Sequence, residues 1–535
     1  MSAKVDPATH VFLSADSNQA LGLGHFAVNF IHAKPGASSA GGAPDASVFQ
    51  RTNMFHVDAT ICGLSALALR TNAPTILRAE ALRYHPAPRG TGSLAGFGSP
   101  AGRLGATVFG SAIDCMPEKA ICANSSAVRE WDSNGTNFGY NPALGHTAGE
   151  FGHNDFYPVA IAAAQLMAKD GQFALRGMIL LDEIRGRLAE VFSLKTYKVD
   201  HVLHGAIASA ATYGAMLGAT PEQIESAIGM VVAHFVPFRA IRHGKQLSDS
   251  KGASAAISTE AAIVSMQRSM AGFIGPKDIF RNAEGVFCLF QKPPQKGMSP
   301  FNLALAHAGN DFAVMGMHFK LGLYEHQSAG AHQALLNLLK KHPELLQDKS
   351  ASRITKIRIV AYEPAFSIIG DPAKMDPRTR QSADHSMAFI ISRLLVRALQ
   401  SGSPDWATNM LSPYDYDAAA LTDPLTRTIM HKIEFVHGGD DYDQRYPEGI
   451  PTSMIITDNQ GNNLDSGLVM FPAGHARNTD ADLQALLAHK FRLLGALASS
   501  DPQSLIKRFD KLEKKSAAEI RDLNTVDINY KDKID

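Results

Sequence analysis

Cysteine is scarce in this chain, and long apolar runs are missing from it. Only four cysteines occur among 535 residues, Cys62, Cys115, Cys122 and Cys288, and none belongs to a CxxC pair. This usage argues against a structural zinc site, an iron–sulfur cluster and a disulfide framework, and it is typical of a reducing compartment. No apolar run reaches the ~18 residues that cross a bilayer, so we expect no membrane partner.

An excess of charge of one sign is also missing. Lys plus Arg and Asp plus Glu both number 51. A balanced chain has no global field that favours nucleic acid or an anionic surface as a partner. The first residues, MSAKVDPATHVFLSADSNQ, lack the charged-then-apolar plan of a secretory signal and are poor in arginine for a transit peptide. We expect a cytoplasmic protein, or a mitochondrial matrix protein that is already processed if the source is eukaryotic.

What the sequence does contain is a series of helical patterns rich in small residues. Residues 17–32 and 56–70 carry a helical period, and 33–47 read as a flexible loop between them. Residues 201–218 are almost entirely apolar and small, which is typical of a helix surrounded by other helices. The segment Thr-Pro-Glu-Gln at 220–223 supplies an N-cap, an N1 proline and a capping-box glutamine, so a helix is predicted from there through Val232.

The pattern changes after QKPPQKGMSP (291–300), which has the composition of a linker. Residues 354–362 alternate like a half-buried strand, and 451–471 indicate two strands joined across DNQGNN. A helix is predicted between them at 384–399, and another amphipathic helix at 482–497. A length of 535 residues also favours more than one domain.

These patterns predict a mainly α protein with an α+β insertion. An all-helical domain that is discontinuous in sequence is expected, with a smaller α+β lid domain inserted into it. The predicted bounds are 1–291 for the first helical part, 292–471 for the lid and 472–535 for the second helical part.

Residues 150–158, EFGHNDFYP, place His153 immediately before the apolar run VAIAAAQLM. One interpretation is a plain helix entrance, capped by Asn154 or Asp155. The other is a titratable group at a helix N-terminus, where unpaired N–H groups favour a bound anion. The local pattern alone favours the cap.

Two further segments carry polar groups beside helices. REWDSNGT puts Asp132 and Thr136 in a polar turn, for which a solvated helix end is the alternative. His201 and His204 have the i, i+3 spacing of metal ligands. No third ligand is evident nearby, so a core or substrate contact is favoured over a metal.

A basic cluster follows in PFRAIRHGKQLSDSKGAS, which contains Arg239, Arg242, His243, Lys245 and Lys251. A solvated loop is one interpretation. Arginine and lysine held close to a buried pocket would also suit a substrate with several carboxylates.

Later in the chain, FKLGLYEHQSAGAHQ offers Lys320, Glu325, His326 and His332. The Glu-His pair before small residues is also a common way to begin a helix.

Seven segments, taken in chain order, resemble the MmgE/PrpD family. They are VDATICGL, VREWDSNGT, EFGHNDFYP, VDHVL, FRAIRHGKQLSDSK, FKLGLYEHQ and FPAGHARN. VDHVL and the Arg-x-x-Arg-His stretch resemble the family's dehydratase branch. The chain departs from the family pattern in the inserted segment 137–150 and in Asn154-Asp155, where the family has Pro-Ser-Asp.

The resemblance implies an active site in a cleft between a helical domain and an α+β lid, a homodimer, and neither metal nor cofactor. It further implies elimination of water from 2-methylcitrate, a small tricarboxylic acid, to give 2-methylaconitate in the methylcitrate cycle of propionate breakdown. Decarboxylation of cis-aconitate, isomerisation or epimerisation of a related acid, and a non-catalytic acid-binding role are the alternatives.

Removing a proton beside a carboxylate without metal requires fixed cations, hydrogen-bond donors and groups that transfer protons. We therefore expect four catalytic residues: Asp132, His153, His201 and Lys251. Which of them is the base and which the acid stays open. The expected substrate-binding residues are Thr136, Arg239, Arg242, His243, Lys320 and His326.

Overall fold

A computed structural model describes residues 5–32, 42–86, 105–243 and 246–534. Residues 33–41 of the predicted loop, and Lys245, lie outside the described residues. The α-helices are α1 (Gln19–His32), α2 (Ala46–Ala68), α3 (Asn72–Ala81), α4 (Pro117–Arg129), α5 (Pro158–Leu166), α6 (Gly171–Val191), α7 (Val202–Leu217), α8 (Pro221–His234), α9 (Asp249–Met270), α10 (Val286–Phe290), α11 (Ala329–Lys341), α12 (Arg380–Ala383), α13 (Met387–Ser401), α14 (Ala418–Thr422), α15 (Pro424–Met430), α16 (Asp440–Asp443), α17 (Leu483–Ala498), α18 (Pro502–Phe509) and α19 (Ala517–Asp522).

The strands are short, and only one sheet has more than two of them among the described residues. They are β1 (His10–Leu13), β2 (Ala43–Pro44), β3 (Ala106–Thr107), β4 (Asp114–Cys115), β5 (Thr136–Asn137), β6 (Gly152–His153), β7 (Leu303–Ala306), β8 (Ala308–Gly309), β9 (Ile354–Ala361), β10 (Ile433–His437), β11 (Thr452–Asp458) and β12 (Asn463–Asp465). Helical residues make up 53% and strand residues 10%, which confirms the mainly α prediction.

Helix α7 lies at the centre of the helical part. Every residue from Val202 to Leu217 is buried, and the helix packs against α1, α5, α6, α8 and α9. Small residues permit this crowding: a Cβ added at Gly205 would lie 2.0 Å from the Phe156 ring, and one at Gly214 would lie 2.5 Å from the Met266 sulfur. The prediction of a surrounded helix is confirmed. The capping box of Thr220 and Gln223 is also present at the start of α8.

The last helices return to the helices at the start of the chain. Helices α17 and α18 pack on α2, and α19 packs on α5. A buried ion pair fixes the first contact, because the Lys490 ammonium lies 2.6 Å from an Asp58 carboxylate oxygen. The same ammonium donates to the backbone carbonyl of Ser133 at 2.6 Å. The C-terminal segment thereby supports the turn that carries Asp132.

The four-stranded sheet has the order β10-β9-β11-β12. Strand β9 runs parallel to β10 and antiparallel to β11, and β11 pairs with β12 as the predicted hairpin. Helix α11 packs on β11, and α13 packs on α11 and α15. The predicted helix over 384–399 begins instead at Met387, because the Ser386 hydroxyl caps it by accepting from the Phe389 N–H.

Residues just after the predicted boundary at 292 are attached to the helical part. Strand β7 pairs antiparallel with β1, β8 pairs with β2, and β7 also contacts α6. The domain bounds at 291/292 and 471/472 stay predictions. Within the described ranges, no helix is both long and apolar enough to cross a bilayer.

Candidate active site

The turn after α4 places Asp132 among cations. Asp132 has φ +50°, a left-handed conformation that non-glycine residues adopt at a cost of roughly 1–3 kcal/mol. Its buried carboxylate contacts Arg129 at 2.5 Å and the Lys320 ammonium. Burial alone would raise the pKa of the Asp132 carboxyl, but Arg129 and Lys320 hold that pKa well below its usual range. Asp132 is therefore an anion near neutral pH.

A second buried carboxylate, Asp384, stands on the other side of Lys251. The Lys251 ammonium lies 2.9 Å from Asp384 and 3.9 Å from Asp132. His385 bridges the same two carboxylates, with Nδ1 at 2.6 Å from Asp384 and Nε2 at 3.1 Å from Asp132. Burial and, to a lesser extent, the Lys251 ammonium lower the pKa of His385 to about 3. His385 is thus a neutral, polarised imidazole within a network of charges.

His153 does not belong to a helix cap. It lies in β6, which pairs with β5 so that His153 is opposite Thr136. Helix α5 starts only at Pro158, and no side chain caps it. Asn154 and Asp155 instead accept hydrogen bonds from the Asn134 amide, at 2.9 and 2.6 Å. The cap interpretation is wrong, because both candidate cap residues form hydrogen bonds with Asn134 and neither caps α5.

The rings of His153 and His201 lie side by side, with centroids 5.2 Å apart. His201 immediately precedes α7, and His153 Nε2 lies 3.4 Å from an Arg129 nitrogen. Burial lowers the pKa of both imidazoles well below the ordinary value, and Arg129 lowers that of His153 further. Two neutral histidines therefore face one space at neutral pH.

Arg239 and Arg242 belong to a short 3₁₀ helix, Arg239–Arg242, after α8. Arg242 is paired with the buried carboxylate of Asp200, with Nε 2.5 Å from it. For Arg239, the described residues provide no carboxylate within ion-pair distance. His243 is exposed and does not line the cavity described below.

A cavity of about 50 Å³ brings together residues from before 291 and after 320. Five predicted site residues line it: Thr136, His153, His201, Arg239 and Arg242. Eight residues that were not predicted also line it: Arg129, Phe138, Phe151, Glu325, Gln327, Ile368, Lys374 and His385. Thr136 donates its hydroxyl to the backbone carbonyl of Gly152 at 2.8 Å.

Four of the other predicted residues lie behind this lining: Asp132, Lys251, Lys320 and His326. Asp132, Lys251 and Lys320 form the charged layer that His385 and Arg129 contact. His326 is buried against the His318 ring, 5.3 Å away, and the Phe138 ring, 5.5 Å away, and it does not line the cavity. The alternative that Glu325 begins a helix also holds, since its carboxylate accepts from the Gln327 N–H at the short 3₁₀ helix His326–Ser328.

Among the described residues, one trio of side chains has the spacing of metal ligands: Asp132, Asp384 and His385. His201 and His204 are not part of it. The negative charge of this trio is already compensated, because Arg129, Lys251 and Lys320 contact its two carboxylates. A divalent cation there would face three positive charges at contact distance. The chemistry of these residues fits a salt-bridge network better than a metal centre.

A signal for His385 was present in the sequence. Asp384-His385 precedes the apolar helix α13 just as Asp200-His201 precedes α7. Arg129 stands three residues before Asp132, a spacing that brings charged side chains together at a helix end. No local pattern marks Lys374, which reaches the cavity only through the fold.

Two family models match this chain. The MmgE/PrpD N-terminal domain matches residues 42–298, and the MmgE/PrpD C-terminal domain matches residues 324–514. The 2-methylcitrate dehydratase of Cupriavidus necator is 25% identical over 326 residues, which cover 59% of this chain and 62% of that protein. The mitochondrial 2-methylcitrate dehydratase of Yarrowia lipolytica is 25% identical over 58% of this chain and 57% of its own length. The 2-methylcitrate dehydratase of Salmonella typhi is 23% identical over 73% of this chain and 77% of its own.

Proposed function

Because the chain belongs to the MmgE/PrpD family, we propose that it is a hydro-lyase that converts 2-methylcitrate to 2-methylaconitate and water. The observation that carries the proposal is the cavity in which His153, His201 and His385 face Arg129 and Arg239. A tricarboxylate needs cations, and an elimination needs groups that transfer protons. The relatives named 2-methylcitrate dehydratase support this choice of substrate.

In the proposed reaction, a base takes the proton from the carbon beside a substrate carboxylate. The electron pair of that C–H bond forms the carbon–carbon double bond, and the C–O bond breaks. A second group protonates the departing hydroxyl, so that one water leaves. At neutral pH, neutral His153 and His201 can each accept the proton from carbon, and a proton transfer of this kind contributes ~10²–10⁴-fold to the rate.

Charge that develops on the substrate carboxylate is stabilised by fixed cations in a space closed to bulk water. Lys251 and Lys320 are suited to supply positive charge near the acid without contacting it directly, because their ammonium groups already pair with Asp132 and Asp384. Their arrangement supports a reaction without metal. A lid formed by 292–471 and a homodimer remain parts of the proposal.

Incubation of the purified protein with a panel of C6 and C7 hydroxy-acids, followed by mass spectrometry, tests the proposal. We expect loss of one water from 2-methylcitrate and an absorbing double bond in the product. Release of carbon dioxide from cis-aconitate would establish the decarboxylase alternative. Binding of tricarboxylates without any turnover would establish a non-catalytic role.

A further inference from the structure

Lys374 is the one lysine in the lining of the cavity among the described residues. It ends the short 3₁₀ helix Pro372–Lys374, which lies between β9 and α12 and belongs to the proposed lid. Its side chain is half-buried. Within the described part of the chain, its ammonium has neither a carboxylate within 4 Å nor a hydrogen-bond acceptor. It is a cation that faces the site without a partner.

The other cations of the site differ in this respect. Arg129 and Lys320 contact Asp132, Lys251 contacts Asp384, and Arg242 contacts Asp200. Arg239 is the one other cation of the site whose charged group has no ion-pair partner among the described residues. The deeper cations of the site are thus paired with carboxylates. Lys374 and Arg239 have no such partner among the described residues, and they lie on opposite sides of the cavity.

Two unpaired cations on one small cavity destabilise each other and carry a desolvation penalty. Burial, with smaller contributions from Lys251 and Arg239, lowers the pKa of Lys374 to about 8. Glu325 and Asp371 act in the opposite direction, but neither forms an ion pair with it. An anion placed between Lys374 and Arg239 would relieve this repulsion.

We propose that Lys374 is a substrate-binding residue that holds, together with Arg239, one carboxylate of the acid. A carboxylate accepts from an ammonium and a guanidinium at once, and charge-assisted hydrogen bonds are the stronger kind. Because one partner lies in the proposed lid and the other beside α8, the same carboxylate would join the two sides of the cleft. The inference rests on the proposed function only for the identity of the acid.

A proton balance follows from this placement. In the empty site, Lys374 loses its proton near pH 8, and a bound anion moves its pKa toward the ordinary 10.5. Binding between about pH 8 and pH 10 must therefore take up a proton, whereas binding at pH 6 takes up none through this group. Glu325, whose pKa is raised by burial to about 7, also takes up protons when an anion binds beside it, so a variant without this carboxyl is needed.

The test uses citrate as the probe, with two dicarboxylates that each lack one of its carboxylates. 3-Hydroxyglutarate lacks the central carboxylate, and citramalate lacks a terminal one. Titration calorimetry measures the affinity of the wild-type protein and of Lys374→Gln for all three acids. The matched control is Lys507→Gln, an exposed lysine on α18. Circular dichroism checks that each variant is folded.

We expect Lys374→Gln to weaken citrate about 10- to 100-fold, the range for a hydrogen bond to a charged group. One of the two dicarboxylates should be weakened threefold or less, because it lacks the carboxylate that Lys374 holds. Equal weakening of all three acids, or of none, would overturn the assignment.

The second measurement compares citrate binding in buffers of different ionisation enthalpy at pH 9. We expect proton uptake by the wild-type protein and by Glu325→Gln, and a clearly smaller uptake in Lys374→Gln, in which the buried Lys251 and Lys320 still have lowered pKa values. Uptake in Lys374→Gln as large as in the wild type would contradict the placement. Neither measurement requires turnover, so a failed hydroxy-acid panel would refute the proposed function and leave this inference standing.

Discussion

Lys320 donates to Asp132 twice, once to the backbone carbonyl at 3.0 Å and once to the carboxylate. The two residues are 188 positions apart in the chain, and both side chains are buried. Arg129, the last residue of helix α4, contacts the same carboxylate. Asp132 is therefore the anion around which cations from two distant parts of the chain are arranged.

This arrangement predicts unequal effects for two substitutions. Asp132→Asn leaves Arg129, Lys251 and Lys320 close together without their shared carboxylate, and should lower the free energy of unfolding by ~3–5 kcal/mol. Lys320→Met leaves Asp132 with two cations and should destabilise less. Urea denaturation of both variants measures the difference. The reverse order would show that Asp132 does not organise the cluster.

His153→Asn should lower kcat by at least ~10²-fold with substrate affinity largely kept. Asparagine can still form a hydrogen bond, but it cannot titrate. Steady-state kinetics on 2-methylcitrate, after circular dichroism shows a folded variant, measures the effect. A near-normal kcat would remove His153 from the catalytic residues.

Lys251→Ala should behave differently and weaken substrate binding and rate together. It removes the cation between Asp384 and Asp132, so the positive field of the cavity falls for the bound acid and the transition state alike. Comparison of KM and kcat separates the two effects. A loss confined to kcat would indicate that Lys251 meets only the charge that develops in the transition state.

Stability should depend on pH through His204, a buried histidine on α7 whose ring nitrogens have no hydrogen-bond partner among the described residues. Burial lowers the pKa of His204 from 6.5 to about 3. Between pH 3 and pH 6.5 the unfolded state therefore binds more protons than the folded state. The stability that neutral His204 contributes is complete above pH 6.5 and is lost as the pH falls toward 3.

Replacement of His204 by leucine should reduce the slope of unfolding free energy against pH, between pH 6 and pH 4, by about 1 kcal/mol per pH unit. Urea denaturation across that range measures the slope. The control is His431→Leu, because His431 is exposed and already contacts water in the folded protein. Equal slopes in wild type and His204→Leu would contradict the prediction.

The cavity of about 50 Å³ is far smaller than the ~300–1,000 Å³ of typical ligand pockets. A tricarboxylate therefore requires the two sides to separate, and residues 292–471 are the proposed moving part. Hydrogen exchange should slow around 365–374 when citrate is bound. Identical exchange and identical small-angle scattering with and without the acid would count against a lid.

Turnover should survive exhaustive chelation. The trio Asp132, Asp384 and His385 has metal-ligand spacing, yet three cations already contact its carboxylates. Activity on 2-methylcitrate is measured after dialysis against a chelator and again after zinc or iron is added. Loss of activity on chelation, with recovery on adding metal, would overturn the metal-free proposal.

The sequence by itself determined several of the helices, the hairpin and the family resemblance. Apolar periodicity is a local property, so 201–218 predicted the buried helix α7 and the Thr220 capping box predicted the start of α8. The order of the polar motifs indicated a shared family although each motif is short. It also named residues that the fold brings together, such as Asp132, His153 and His201.

Only the tertiary structure decided which side chains face the cavity and which are already paired. In the sequence, Lys251 and Lys320 have no evident partner, but in the fold both are buried against carboxylates. No local sequence pattern marks Lys374, yet it lines the cavity without an ion-pair partner among the described residues. His243 was expected at the site and is exposed, and His326 lies behind Phe138. The physical reason is that pairing and burial depend on contacts between residues far apart in sequence, which local periodicity and spacing do not contain.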